Sequence, residues 1–318
     1  MKHILPKLCL WAVAACCITS QANAQYVSTF NGKLEVGLNI GPSNFLGDLG
    51  GTRGIGKTFL KDNNIEFTKI LAGGFITYYP REWFGIRANF HHTKIEANDA
   101  VIKDKGGLEN ARRWRNLNFR SSITEAYIAA EITPTFFLEK DDYREGKLRP
   151  YALVGIGLFS YNPQTQLNGE WVDLRPLRTE GQGFAEYPNK KVYGKTAYCY
   201  PVGGGFKYYL TEKFTIGAEV IHRFTNTDYI DDVSTTYIDP ATFATNLDAT
   251  NAALARQLHN RNIVPTNVGY SAPGAQRGDS KDNDGYFSAV VKFGWRLGSE
   301  YQSEYRRARK QVRCSNFY

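Results

Sequence analysis

The chain has 318 residues and a formal net charge of +8, with 20 Tyr, 19 Phe, 30 Gly and only 1 Met. A basic excess this small gives no reason to expect nucleic acid as a partner. The 5 cysteines include three within the first 17 residues, so those that remain form neither a disulfide framework nor a metal-binding set.

The first 24 residues have the three parts of an export signal. Lys2 and Lys7 precede or begin a short apolar run over residues 8–18, and Ala22-Asn23-Ala24 is the small-x-small pattern that signal peptidases cut. We therefore predict a signal peptide over residues 1–24 and a mature chain that begins at Gln25. Lipoprotein-type cleavage before Cys16 is the alternative.

Eight segments after the signal have apolar residues at every second position, which is the period of a strand with two different faces. They cover residues 34–40, 69–79, 84–90, 126–132, 152–158, 198–208, 214–220 and 287–297. No stretch there offers the roughly 18 apolar residues that a transmembrane helix needs. In lipid, such strands persist only in a closed cylinder. The predicted fold class is all-β, an eight-stranded antiparallel transmembrane β-barrel over residues 25–297.

The connections between these segments alternate in length. Three are compact, around residues 80–83, 139–147 and 211–213, and four are long, around 42–66, 93–120, 162–195 and 225–284. Short periplasmic turns and long extracellular loops are typical of bacterial outer-membrane barrels. The alternative, a water-soluble β-sandwich, explains the alternation but not its combination with an export signal.

The opposite faces of the segments carry charged residues of both signs. An eight-stranded barrel is just wide enough for side chains to fill it, so we expect these groups to form a polar plug and not an open channel. The predicted lumen network consists of Glu35, Arg87, Glu125, Glu131, Lys207, Glu219, Arg223, Lys292 and Arg296.

Several loop residues attract attention as candidate sites. Asp228, Asp231 and Asp232 cluster in the longest loop, where three uses stay open: holding a divalent cation, contacting a partner, or capping turns. Residues 51–58, GTRGIGKT, match the P-loop pattern, but no apolar helix follows them and no βαβ rhythm surrounds them. We expect no nucleotide binding, no cofactor and no metal. With no Ser-His-Asp or Cys-His arrangement in view, we predict that the protein is not an enzyme.

Several longer motifs follow one another in a fixed order. They are SNFLGDL at 43–49, RNLNFRS at 115–121, RPYALVGIGLF at 149–159, NGEWVDL at 168–174, TEGQG at 179–183 and TDYIDDVSTTY at 227–237. With them the chain resembles the PorG-like (DUF6089) family of outer-membrane proteins from Bacteroidota over roughly residues 30–297.

The resemblance implies a role in the type IX secretion system, as a barrel that anchors or caps a periplasmic ring of the PorK–PorN type. It also marks Thr179, Glu180 and Gly181 as a candidate functional loop. Outer-membrane lipid and the ring proteins are the partners implied. A small porin or channel, or a barrel with another structural role, is the alternative.

The chain departs from ordinary barrel proteins at its C-terminus. Residues 298–318 follow the last predicted strand, whereas such barrels usually end on it. We predict a basic periplasmic tail that binds an acidic partner surface through a candidate set of side chains: Arg306, Arg307, Arg309, Lys310 and Arg313. A solvated end without a partner is the alternative.

Overall fold

The computed structural model describes residues 33–50, 65–102, 109–137, 145–211, 213–264 and 268–297. The predicted signal peptide, the P-loop-like segment at 51–58 and the basic tail with its five cationic side chains lie outside these described residues.

Ten strands occupy most of the described chain. They are β1 (Leu34–Leu46), β2 (Lys69–Arg81), β3 (Phe84–Asn98), β4 (Asn118–Ile132), β5 (Leu148–Ser160), β6 (Pro163–Leu167), β7 (Glu170–Asp173), β8 (Thr196–Tyr209), β9 (Phe214–Thr225) and β10 (Gly285–Leu297). Eight of these are the predicted strands. The short β6 and β7 form an additional hairpin within the predicted loop 162–195.

The eight long strands close into a barrel. Each pairs antiparallel with its neighbours in the order β3-β2-β1-β10-β9-β8-β5-β4, and pairing between β3 and β4 completes the ring. The first and last strands lie side by side, from Leu34 opposite Leu297 to Leu46 opposite Gly285. The predicted fold, a closed eight-stranded antiparallel barrel, is confirmed.

The outer surface carries an apolar belt. Outward side chains alternate with inward ones along each strand, and in the middle of the barrel the outward ones are large and exposed, as with Ile70 at 70%, Leu38 at 68% and Ile128 at 59%. A continuous exposed apolar surface is not compatible with water. It is the surface that a barrel presents to lipid.

Beyond this belt the side chains still alternate between inward and outward, but the polarity of the two faces is reversed. In the first part of β4, Phe119 and Ile123 point inward and are buried, whereas Ser122 points outward and is exposed. The end of β3 does the same, with Ile95 buried and Lys94 exposed. Here the barrel is apolar inside and polar outside, as a water-soluble protein is.

The two ends of the barrel differ in their connections. At the short-turn end, residues 82–83 join β2 to β3 and residues 210–213 join β8 to β9. At the long-loop end, residues 47–68, 99–117, 161–195 and 226–284 connect the strands. The predicted asymmetry between short turns and long loops is therefore present.

Helices occur in the long loops. Thr242–Asn246 and Ala249–Leu258 lie in the longest loop, and Glu109–Arg115 lies between β3 and β4. Asp248 caps the second of these, since its carboxylate accepts the backbone N–H groups of Thr250 and Asn251 at 3.1 and 3.0 Å. Among the described residues, no helix is both long and apolar enough to cross a bilayer.

Candidate functional site

The inside of the barrel is occupied by the charged residues that the alternation predicts. All nine lie within it, and none is more than 4% exposed: Glu35, Arg87, Glu125, Glu131, Lys207, Glu219, Arg223, Lys292 and Arg296. They face one another across the barrel, so their contacts join strands that are far apart in the sheet. Three connected groups of contacts can be distinguished.

The first group lies toward the short-turn end. The Lys207 ammonium donates to Glu35 at 3.1 Å and to Glu131 at 3.0 Å. The Tyr79 hydroxyl lies 2.9 Å from Glu35 and 3.2 Å from Glu131, and Thr215 donates to the other oxygen of Glu35 at 2.8 Å. Two carboxylates therefore share one ammonium and one phenol, which satisfies charges that burial would otherwise destabilise.

The second group lies at mid-height and is centred on Arg87. Its guanidinium donates to both Glu131 and Glu219. Glu219 also accepts from the Tyr151 hydroxyl at 2.7 Å and lies 3.4 Å from the Lys292 ammonium. Arg87 thus connects the first group to the opposite wall through two carboxylates, using the planar fork that distinguishes arginine from lysine.

The third group lies toward the long-loop end, around Glu125. This carboxylate accepts from Arg223 at 2.8 Å and from the Tyr286 hydroxyl at 2.6 Å, and it lies 2.7 Å from Nδ1 of His91. The other ring nitrogen of His91 lies 2.8 Å from the Asn39 amide. Antiparallel pairing of β3 with β4 places His91 directly opposite Glu125, a neighbour that spacing along the chain does not show.

Arginines lie at the short-turn mouth. Arg296 is 3% exposed, its guanidinium carbon lies 4.7 Å from the centre of the Tyr79 ring, and the carboxylate of Glu82 is 3.8 Å away. Arg149 is fully buried, with its guanidinium 3.8 Å above the Phe136 ring. Cation–π contacts of this kind hold the two guanidinium groups across the opening.

A water-filled channel would expose the side chains that line it. In the described residues the nine charged groups are at least 96% buried, so water does not run past them from one end to the other. The interior is a packed polar plug. This is the arrangement expected for a barrel of eight strands, whose interior side chains fill the lumen.

The long-loop end is closed by an apolar floor and a cap. The floor contains Phe45, Ile95, Phe119, Phe159 and Tyr286, which pack together above the polar plug. A second apolar cluster, with Leu177, Phe184, Phe243, Ala255 and Leu258, lies within the loops themselves. The long loops therefore have their own core and pack as a folded cap.

Glu180 fastens two loops of this cap together. Its carboxylate accepts the backbone N–H groups of Ser234 and Thr235, both at 3.0 Å, and the Thr235 hydroxyl at 2.7 Å. Arg277 donates to it at 2.9 Å and also donates to the backbone carbonyl of Asp232 at 2.7 Å. Burial of Glu180 is complete, so these four donors take the place of water.

Asp232 and Arg115 make two further connections. The Asp232 carboxylate accepts the hydroxyls of Thr179 and Tyr193, both at 2.5 Å, and its burial raises its pKa to about 6. Arg115 donates to the carboxylate of Asp99 at 2.8 Å and to the backbone carbonyls of Asp48 and Arg277, both at 2.7 Å. Each residue joins segments that are distant in the chain.

The predicted loop residues therefore lie inside the cap. Thr179, Glu180, Asp231 and Asp232 are at most 1% exposed, and Asp228 is 8% exposed. Gly181, also buried, has φ of +77°. The motif that suggested a functional loop holds the cap together, because buried carboxylates need the backbone donors that this loop geometry supplies.

Some residues of the plug and cap are absent from the sequence-based selection. The tyrosines at 79, 151 and 286 look apolar in a periodicity pattern, yet each supplies a phenol to a carboxylate. Arg115 and Arg277 lie outside any strand pattern, so only the folded loops show their partners. Alternation predicts which side a residue faces, and it does not predict the contacts of loops.

A family model described as a domain of unknown function (DUF6089) matches residues 10–239. The chain belongs to the DUF6089 family. Nothing among the curated proteins matches this DUF6089 chain.

This DUF6089 protein is similar to solved structures that include the following three. Ail, the attachment invasion locus protein of Yersinia pestis, is 9% identical, with 83% of this chain and 99% of Ail covered and a TM-score of 0.34. Neisserial surface protein A is 9% identical, with 83% and 97% covered and a TM-score of 0.35. Outer membrane protein OprG of Pseudomonas aeruginosa is 9% identical, with 84% and 96% covered and a TM-score of 0.34.

Proposed function

We propose that this DUF6089 protein spans the outer membrane as a sealed barrel and anchors a periplasmic ring of the type IX secretion system. The proposal has three parts, which rest on different observations. The first is the position of the barrel in the membrane, the second is its closed interior, and the third is the identity of its partner.

The apolar belt supports the position in the membrane. At the short-turn end the rings of Phe214 and Trp295 stack outward, 5.9 Å apart and both about half exposed. Exposed aromatic residues at the edge of an apolar belt are typical of the membrane–water interface. Short turns face the periplasm in bacterial barrels, so the same end, and with it the tail 298–318, belongs on the periplasmic side.

The burial of the nine lumen charges is the observation that carries the structural role. A porin works through a water-filled lumen, whereas here Arg87 contacts both Glu131 and Glu219 at mid-height, and at most 1% of any of the three is exposed. A barrel sealed in this way provides a stable position in the membrane and no passage. An anchor needs a stable position in the membrane and does not need a passage through it.

The series of sequence motifs supports the third part of the proposal, that the partner belongs to the type IX secretion system. The loop motifs at 168–183 and 227–237 resemble those of PorG-like barrels, and the tail offers five cationic side chains for an acidic surface. In a tail of this kind each ion pair contributes only fractions of a kcal/mol, so several acting together are needed for attachment.

Co-purification tests the partner. An affinity tag inserted between Asn168 and Gly169, at the exposed tip of the β6–β7 hairpin, leaves the tail free. We expect periplasmic ring proteins to be recovered with the tagged barrel in mild detergent. Recovery of the barrel alone, from cells in which secretion is active, contradicts the anchoring role but leaves the membrane barrel intact.

A charge-neutralised tail makes the same experiment specific. Replacing Arg306, Arg307, Arg309, Lys310 and Arg313 with Gln should reduce recovery of the ring proteins and lower secretion. Replacing the exposed Lys191 and Lys195 with Gln, at the opposite end of the barrel, is the control and should leave recovery unchanged. Equal losses in both variants exclude a specific role of the tail.

Planar-bilayer recordings test the sealed interior. We expect the purified barrel to insert without raising conductance above that of the lipid alone, because the plug leaves no continuous path for water and ions. Stable conductance steps that depend on the barrel contradict the sealed interior and favour the porin interpretation.

A further inference from the structure

Four aspartates converge at the long-loop end of the barrel. Asp48 follows β1, Asp228 and Asp231 follow β9, and Asp284 directly precedes β10. Asp231 and Asp284 are 1% exposed, and Asp228 is 8% exposed. We refer to these four residues as the acidic cluster.

The acidic cluster connects separate loops through backbone donors. Asp231 accepts the backbone N–H groups of Val233 at 2.9 Å and of Leu49 at 3.3 Å. Asp284 accepts from Ile230 at 2.8 Å, and Asp48 accepts from Asp279 at 2.7 Å. The beginning and the end of the barrel, and the loop after β9, are held together at this point.

One buried oxygen of the cluster, Oδ1 of Asp284, has no hydrogen-bond partner among the described residues. Asp228 has a hydrogen bond to the Ser234 side chain. A buried carboxylate oxygen without a donor is costly when it is charged. A carboxyl that holds a proton avoids this cost, because its neutral form is less expensive to bury.

The charged neighbours do not neutralise the cluster. Those that face it are Asp279, Glu180 and Arg115. Two of them are acidic. Arg115 is occupied by Asp99 and by backbone carbonyls.

A proton fits this site better than a metal ion. Among the described residues, no three His, Cys, Asp or Glu side chains are placed to hold a metal ion. A shared or added proton converts a repulsive pair of carboxylates into a neutral one, as in other sites where two acids lie close together. It also gives an unpartnered oxygen an O–H that can donate.

We propose that the acidic cluster is a proton-operated latch, which keeps the cap closed while its carboxyls hold protons and releases the loop after β9 as they ionise. Ile230 and Val233, which flank Asp231, are then the side chains that leave the apolar floor. Both are at most 1% exposed and pack in the same cluster as Cys199.

The direction of the pKa shifts agrees with this mechanism. Burial, with repulsion from neighbouring carboxylates, raises the pKa of Asp228 to about 8 and that of Asp48 to about 6. The pKa values of Asp231 and Asp284 are raised well above their ordinary value for the same reasons.

A raised pKa in the closed state fixes the sign of the pH dependence. The closed cap binds more protons than the open one, so its stability is fully present at acid pH and is lost as the pH rises through the closed-state pKa values. The loss begins near the ordinary pKa of 3.8 and ends at about pH 6 for Asp48 and at about pH 8 for Asp228, so Asp228 contributes to the slope between pH 6 and 8.

Alkylation of Cys199 in the full chain tests the latch. The thiol is 0% exposed beneath the cap, so it reacts only when the cap opens. Its rate is read from the Cys199 peptide by mass spectrometry at pH 6, 7 and 8, and dividing by the rate in the urea-unfolded chain removes the titration of the thiol itself. We expect the corrected rate to rise about tenfold per pH unit for each proton released.

Two variants isolate the acidic cluster. Asp228→Asn keeps the shape and removes one titrating group, so the slope of log rate against pH should fall by about one. Asp282→Asn, an exposed position two residues from Asp284, is the matched control and should leave the slope unchanged. Mobility shift on heating in gels verifies that each variant forms the barrel.

Three outcomes overturn the proposal. One is a corrected wild-type rate that does not change between pH 6 and 8, and another is an Asp228→Asn slope equal to that of the wild type. The third is protection at pH 8 by millimolar calcium that EDTA reverses, which assigns the cluster to a divalent cation. A steep wild-type slope that Asp228→Asn lowers, with no effect of calcium, supports the proton latch.

Discussion

Replacing Arg87 with Met tests whether the polar plug determines the stability of the barrel. Methionine retains most of the length of the side chain and removes the charge and the N–H donors that serve Glu131 and Glu219. Removing one partner of a buried ion pair destabilises a protein by about 3–5 kcal/mol, because the remaining charge stays buried.

The neighbouring contacts set where in that range the variant falls. Without Arg87, Glu131 keeps Lys207 at 3.0 Å, and Glu219 keeps Tyr151 at 2.7 Å and Lys292 at 3.4 Å. Neither carboxylate is left without a donor, so we expect a loss of about 3 kcal/mol, the lower end of the range. This corresponds to a change of about two orders of magnitude in the unfolding equilibrium.

Urea unfolding in lipid vesicles, followed by tryptophan fluorescence, measures this loss. Arg81→Met is the control, since Arg81 lies exposed at the end of β2, and it should change stability by no more than about 0.5 kcal/mol. In the double variant R87M/E219Q, one carboxylate no longer needs a partner, so its loss should be smaller than the sum of the single losses. An Arg87→Met loss equal to that of the control refutes the structural role of the plug.

Three further variants test the belt, the strand contacts and the cap. Ile128→Arg, on the lipid face, should destabilise the barrel by about 2–4 kcal/mol in vesicles and much less in a mixed detergent that solvates the charge. Gly203→Ala should impair barrel formation on heat-shift gels, because a β-carbon there would lie 2.2 Å from the carbonyl oxygen of the facing strand, whereas Gly74→Ala, with 3.4 Å of space, should form normally. Glu180→Gln weakens the contact with Arg277, so hydrogen exchange of residues 230–238 should accelerate while exchange of the strands stays unchanged.

The strands were predictable wherever the two faces of a segment differ in polarity. In the middle of β10, Val291, Phe293 and Trp295 face outward and Lys292 faces inward, as the alternation indicates. The second strand is the least regular in sequence because Leu71 and other large apolar groups also point inward, where they are completely buried. The sequence therefore predicts a strand through the difference in polarity between its two faces, and not through the β propensity of its residues.

The upper ends of the strands were missed for a physical reason. Predicted β4 begins at residue 126, whereas the strand begins at Asn118. Beyond the belt the outside faces water, so Phe119 and Ile123 point inward and the apolar phase is reversed. A search for outward apolar residues stops at the membrane boundary, although a search for either phase would continue to the end of the strand.

The contacts within the cap could not be predicted from the periodicity of apolar residues. The helix Ala249–Leu258 is visible in the composition of residues 252–259, and Asp248 is a recognisable cap. The hydrogen-bond partners of Glu180 cannot be recognised in the sequence, because Ser234, Thr235 and Arg277 are 54 to 97 residues away in the chain. Long-range contacts of this kind depend on how the strands bring the loops together.

The junction of β1 with β10 has a kinetic consequence. These two strands pair over their full lengths although about 250 residues of chain separate them, and contacts between distant parts of a chain form slowly. Until the last strand arrives, β1 presents a row of unpaired amides, which lipid does not tolerate. Completion of synthesis therefore precedes the final ring, and a chain that is truncated within β10 remains an open sheet exposed to aggregation and proteolysis.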